Sequence, residues 1–168
     1  GNTPCYYNHI VTDREEPFDQ PGTPEEPKGH YIFDKPEPLW NFGHGKSYTT
    51  FDYVDCALSD TLLAASDTLK VSVMIKNTGR CDGKEVVQLY VRDKVSTVAT
   101  PIQQLKAFQK VLVKSGESQC VELSLPIAEL ALYNAKMEEV VEPGDFEIQI
   151  GAASDDIRFK KTITINRK

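Results

Sequence analysis

Beyond residue 49 the chain alternates apolar and polar residues with period two, the spacing of half-buried β-strands. In "LKVSVMIKNTG", Leu69, Val71, Val73 and Ile75 share one face, with Lys70, Ser72, Met74 and Lys76 between them. Asn77-Thr78-Gly79 then supplies turn chemistry. In "EVVQLYVRD", Val87, Leu89 and Val91 fall on one face, and Val86 and Tyr90 on the other predict cover on both sides. "LKAFQKVLVKSGES" alternates again, and Lys106, Lys110 and Lys114 share a parity with Phe108 and Leu112. That reads as an edge strand whose lysines discourage pairing with other molecules. Ser115-Gly116 closes it, and "QCVELSLP" follows, stopped by Pro126.

The next stretch is less regular. Ile127 to Leu132 fits a helical turn followed by a short hairpin. Pro143-Gly144 marks a turn, after which Phe146, Ile148 and Ile150 alternate. "IRFKKTITIN" closes the series with Ile163 and Ile165 between threonines. The pattern predicts an all-β fold, an antiparallel β-sandwich of about seven strands. No long helical period and no internal repeat is present, which argues against a βαβ enzyme fold.

The first third of the chain differs. Seven of the ten prolines fall by residue 38. From Thr12 to Lys28 six acids (Asp13, Glu15, Glu16, Asp19, Glu25, Glu26) face two bases (Arg14, Lys28), which is -4 of the total -6. Such a stretch buries too little apolar surface to offset its chain entropy. It reads as a solvated linker or, alternatively, an acidic partner-binding segment. The expected organisation is an extended N-terminal piece over residues 1–11, an acidic Pro-rich linker over 12–37 and the sandwich over 38–168.

Composition adds exclusions. Hydrophobic residues make up 40% and charged residues 26%, so a core can form. The acidic balance argues against a nucleic-acid partner, which needs clustered Lys and Arg. No apolar run reaches the length of a membrane span. Cys5, Cys56, Cys81 and Cys120 show no C-x-x-C spacing, so no zinc ribbon or thioredoxin-like site is predicted, and unpaired thiols are the expectation.

Candidate chemistry is sparse. Adjacent acids occur at Glu15-Glu16, Glu25-Glu26, Glu138-Glu139 and Asp155-Asp156. Neighbours on a strand point to opposite faces, which works against two carboxylates converging on one bond. His9, His30 and His44 lack a second ligand at helical spacing. No P-loop, Rossmann fingerprint or G-x-S-x-G is present, and no cofactor is implied.

One stretch stands apart, "PLWNFGHGKSYTTFDY" from Pro38 to Tyr53. It belongs to an aromatic cluster (Tyr6, Tyr7, Tyr31, Phe33, Trp40, Phe42, Tyr48, Phe51, Tyr53) that precedes the predicted core. Such a cluster either packs two units together or forms a sugar-binding platform. Gly43 and Gly45 read as backbone permission for a tight turn around His44, with Trp40, Phe42, Tyr48 and Phe51 packed around it. The expected interdomain packing residues are Tyr6, Tyr7, Trp40, Phe42, Gly43, His44, Gly45 and Tyr48, in a hinge rather than an active site.

The same stretch resembles the P-L-Y-P-F-G-H-G-L-S-Y-T-x-F signature of family 3 glycoside hydrolases, the β-glucosidase and β-xylosidase family. "VSVMIKNTGRCDGKEVVQLYVRD" is similar to V-x-V-K-N-T-G-x-x-x-G-x-E-V-V-Q-L-Y-V-x-D of that family. "LKAFQKVLVKSGES" resembles L-K-G-F-x-K-V-x-L-x-x-G-E-S, and "VVEPGDFEIQIGAASDDIR" resembles E-P-G-x-F-x-x-x-I-G-x-S-S-x-D-I-R. "GNTPCYYNH" resembles the G-x-x-P-x-Y-Y-N-H segment that leaves the preceding α/β sandwich domain. The chain departs from the pattern at Ile10 (often Lys), Lys46 (Leu) and Ala107 (Gly), and "STVATP" lacks the Arg common before Pro101.

The resemblance implies an immunoglobulin-like, fibronectin type III-like C-terminal domain of a retaining β-glycosidase. It implies that the nucleophilic Asp lies in a (β/α)₈ barrel and the acid/base in the following α/β sandwich, neither motif being in this chain. The partners implied are the catalytic domains of the same parent chain, and β-linked oligosaccharide is the parent's substrate. A periplasmic or extracellular site is implied by resemblance. The competing expectation is an independent carbohydrate-binding or adhesive sandwich.

Overall fold

The computed structural model describes residues 6–10, 24 and 38–166. Most of the expected linker, the start of the N-terminal piece, Cys5, His30, Tyr31 and Phe33 lie outside the described residues. Ten strands are present among those described: β1 (Phe51–Leu58), β2 (Leu62–Leu63), β3 (Thr68–Asn77), β4 (Gly83–Asp93), β5 (Gln104–Val113), β6 (Ser118–Pro126), β7 (Leu132–Tyr133), β8 (Glu139–Val140), β9 (Gly144–Gly151) and β10 (Ile157–Ile165). A 3-10 turn occupies Ile127–Leu130. Seven strands have eight residues or more, the number that alternation predicts, and β2, β7 and β8 have two each.

The long strands form two facing sheets, β1-β3-β6 and β2-β10-β9-β4-β5. All neighbours are antiparallel except the short β2, which runs parallel to the end of β10. The predicted inward residues meet between the sheets. Leu69, Val71, Val73 and Ile75 of β3 are fully buried, as are Val87 and Leu89 of β4 and Ile148 and Ile150 of β9. Register explains the match: Val73 lies opposite Cys56 on one side and Val121 on the other, so one apolar row crosses the sheet. Cys120 points out and is exposed, and Cys56, Cys81 and Cys120 are free thiols.

Three details differ from the sequence reading. Phe51 and Tyr53 do not belong to a cluster ahead of the core; they open β1 and pack half-buried against it. A bulge at Val54 displaces the pairing between Tyr53 and Asp55, so the strand's alternation breaks midway. Lys106 does not share the face of Phe108 and Leu112. The register slips between Leu89 and Tyr90, leaving Lys106 unpaired in β5, and its Nζ donates to the Glu129 carbonyl of the 3-10 turn at 2.7 Å. Burial lowers the Lys106 pKa. β5 is nevertheless the edge strand predicted, with Lys110 and Lys114 exposed.

Candidate interdomain surface

On β4, alternation turns Gln88 and Tyr90 away from the core, yet they are only 3% and 0% exposed. The segment ahead of β1 covers them. Gln88 Nε2 donates to the Gly43 carbonyl at 3.1 Å and to the Ala152 carbonyl. The Tyr90 hydroxyl donates to Gln88 Oε1 at 2.5 Å, and burial, with Tyr7 and Asp155 nearby, raises its pKa. A buried amide is tolerable only when its donors and acceptor are matched, as here. Gly43 has φ +82, and a Cβ there would meet Gln88 Oε1 and lie 2.9 Å from the Tyr90 hydroxyl. The turn is further tied by the His44 amide donating to the Asn41 carbonyl (3.1 Å), the Ser154 amide to the Phe42 carbonyl (2.9 Å) and Asn41 Nδ2 to Asp155 Oδ2 (2.7 Å).

Tyr7 completes the cover. Its ring stacks on Phe42 with centroids 4.0 Å apart and meets Tyr90 edge-on at 6.0 Å. Its hydroxyl accepts from the Leu105 amide at 3.3 Å. Two residues later the His9 carbonyl accepts from the Ile102 amide at 2.9 Å, and Ile10 forms an antiparallel bridge with Pro101.

Outside this layer sits a second pair. The Trp40 and His44 rings stack at 4.6 Å, and Lys46 Nζ lies 4.7 Å from the Trp40 ring centre. Trp40 is 56% and Phe42 46% exposed, so an ordered aromatic surface faces outward. Tyr6 is also largely exposed. Tyr48 is fully exposed, and its carbonyl accepts from the Cys81 thiol at 3.3 Å. Of the residues singled out from sequence, Tyr7, Phe42 and Gly43 meet in one layer and Trp40 and His44 in the next. Gly45 has no special backbone conformation and open space around its Cβ position. Sequence reasoning missed Gln88 and Tyr90 as the floor of this surface. The signal was an amide inside the apolar run of β4.

Elsewhere the polar interior is structural. The fully buried Asn77 accepts from Thr49 Oγ1 (2.6 Å) and the Gly79 amide (3.0 Å), and donates to the Cys81 and Val113 carbonyls (both 2.9 Å). All four of its hydrogen-bonding positions are used, which ties the start of β1 to the ends of β3 and β5. Tyr53 donates to Glu85 Oε1 at 3.0 Å, bridging β1 and β4. A cavity of about 60 Å³ lined by Val91, Asp93, Gln104, Lys106 and Phe146 is too small for a sugar ring, since ligand pockets run to roughly 300 Å³ or more. Among the described residues no cluster of three or more His, Cys, Asp or Glu is placed to hold a metal, and no helix is long and apolar enough to cross a membrane.

Comparison with known proteins agrees with this architecture. The family model of the fibronectin type III-like domain matches residues 85–154. A β-xylosidase of Formosa agariphila is 43% identical over 84% of this chain and 19% of its own length. A periplasmic β-glucosidase of Salmonella typhimurium is 35% identical over 94% of the chain and 20% of its own. A crystal structure of a β-glucosidase from Listeria innocua in complex with isofagomine superposes with a TM-score of 0.82 at 34% identity, covering 96% of this chain and 22% of that one. The chain thus spans about a fifth of the length of the curated relatives it matches. With two facing sheets, the family match inside them and likeness over most of the chain to one segment of these enzymes, the chain belongs to the family 3 glycoside hydrolases as their fibronectin type III-like segment.

Proposed function

We propose that the sandwich braces the catalytic domains of a longer retaining β-glycosidase, and that the surface of Trp40, Phe42 and His44 is where it packs against them. The observation that carries this reading is an apolar surface held in a fixed shape yet left open. Trp40 and Phe42 are about half exposed although the Gly43 turn beneath them is pinned by Gln88, Ser154 and Asp155. Ordered, exposed aromatics on a rigid support mark an interaction surface. Retaining hydrolysis needs two carboxyl groups about 5–5.5 Å apart across the bond, and in this reading both come from the other domains. Glu85, a half-buried carboxyl between the sheets, is occupied by Tyr53. β-Linked oligosaccharide is then the substrate of the longer chain. A periplasmic or extracellular site is supported by the name of the Salmonella relative.

The test uses the longer chain carrying this segment. Trp40→Ala lowers its thermal inactivation temperature by several degrees, while kcat on a nitrophenyl β-glucoside stays within about twofold, as for surface substitutions that touch no reacting group. A large loss of kcat at unchanged stability overturns the bracing role. Saturable, Trp40-dependent binding of β-glucan to the 168-residue chain would instead make it a carbohydrate-binding module.

A further inference from the structure

We infer that Tyr6–Ile10 is the mechanical joint of this segment, a strap fastened to the outer side of the five-stranded sheet, and that residues 11–37, which follow it in sequence, carry none of the connection. What lies beyond the joint rests on the accessory-domain reading; the strap rests on its own contacts. Two fastenings hold it, one through the Tyr7 side chain and one through the backbone at His9–Ile10. The Tyr7 ring stacks on Phe42 and meets Tyr90 edge-on, and its hydroxyl takes the Leu105 amide. The His9 carbonyl takes the Ile102 amide, and Ile10 bridges Pro101, just before edge strand β5 begins. Ile10 and Pro38 both lie close to one aromatic cluster: Ile10 is three residues from Tyr7, Pro38 is two from Trp40, and Phe42 stacks on Tyr7.

The strap then places what precedes it. Whatever the chain carries ahead of Tyr6 leaves the sandwich beside the exposed faces of Phe42 and Trp40. A Pro-rich tether the length of 11–37 would impose no such placement. Tyr6–Ile10, rather than the acidic stretch, thus carries the load.

Two measurements test it. In the 168-residue chain, amide hydrogen exchange reads the strap directly. Tyr7→Ala accelerates exchange at Ile102 and Leu105 by about tenfold or more while β3 and β9 stay protected, the mark of local rather than global opening. Replacing residues 11–37 with a Gly/Ser segment of equal length leaves both amides as protected as before. An unprotected Ile102 in the unaltered chain, or protection lost with the Gly/Ser segment, overturns the strap. In the longer chain, Tyr7→Ala lowers the thermal inactivation temperature and the Gly/Ser replacement does not. The reverse result overturns the joint. The first measurement needs no longer chain, so its failure is separate from failure of the bracing role.

Discussion

Gly43 and Gly45 flank the same histidine, and nothing in the Gly-His-Gly string tells them apart. The structure separates them on two physical grounds. Gly43 sits at φ +82, where a side chain is strained, and its missing Cβ leaves the room that Gln88 and Tyr90 occupy. Gly45 has neither constraint. Gly43→Ala therefore forces both backbone strain and displacement of a buried hydrogen-bonded amide, together about 2–4 kcal/mol. For a domain of this size that is a fall in melting temperature of roughly 5–10 °C. Gly45→Ala stays within about 0.5 kcal/mol of the starting protein. Thermal unfolding of the two variants side by side decides it, and an equal effect would mean the Gln88 clamp is not what fixes the turn. His44 is legible in the same way only afterwards. Its partner is the Trp40 ring, not a second ligand, and no spacing rule in the sequence announces a stacking partner.

Strands were legible where one face is buried and pairing is regular. β3 and β6 meet both conditions along their whole length, so counting by twos recovers every core residue of Leu69–Ile75 and Val121–Leu125. β1 fails the second condition, since the bulge at Val54 shifts its parity while Asp52 and Asp55 interrupt its apolar run. β2, β7 and β8 are too short to show a period at all. The junction surface was half legible. Its aromatics are visible as a cluster, but the amide floor lies in another strand, and only the fold brings Gln88 under Gly43. β5 shows both outcomes in one element. Its edge position was readable, yet the bulge reassigns Lys106 and leaves Lys110 as the charge that separates exposed Phe108 from exposed Leu112. Lys110→Val joins those residues into one apolar row along an unpaired edge, the arrangement that invites sheet-to-sheet association. Sedimentation velocity at matched concentration shows a several-fold higher associated fraction for the variant than for the unaltered chain. No difference between them would mean that the twist of the edge, not its charge, keeps β5 unpaired.

At the scale of the whole sandwich, the Tyr53–Glu85 contact is a polar tie between the two sheets, and it makes stability depend on pH. Burial raises the Glu85 pKa above the usual carboxylate value; the Tyr53 hydrogen bond and the Arg158 guanidinium pull it down, and Asp156 adds to the rise. Tyr53 is itself pushed up by burial and by Glu85, so its hydroxyl remains the donor throughout the neutral range. A native carboxyl that holds its proton more tightly than the unfolded chain does contributes stability that is complete below the unfolded pKa, about 4.3. That contribution is lost as pH rises through the raised native value, because the native state must then bury a charge. Glu142 works in the opposite sense, its pKa lowered by contacts with Thr97, but it is common to any pair of variants that leave it alone. Glu85→Gln keeps an oxygen to accept from Tyr53 and cannot ionise. Its stability relative to the unaltered chain therefore rises as pH climbs above the unfolded carboxylate value and through the raised native value of Glu85. Urea midpoints for both proteins across that range give the difference directly. A difference that stays flat, or that falls as pH rises, would show that Tyr53 and Arg158 outweigh burial and that the tie between the sheets carries its charge at no cost.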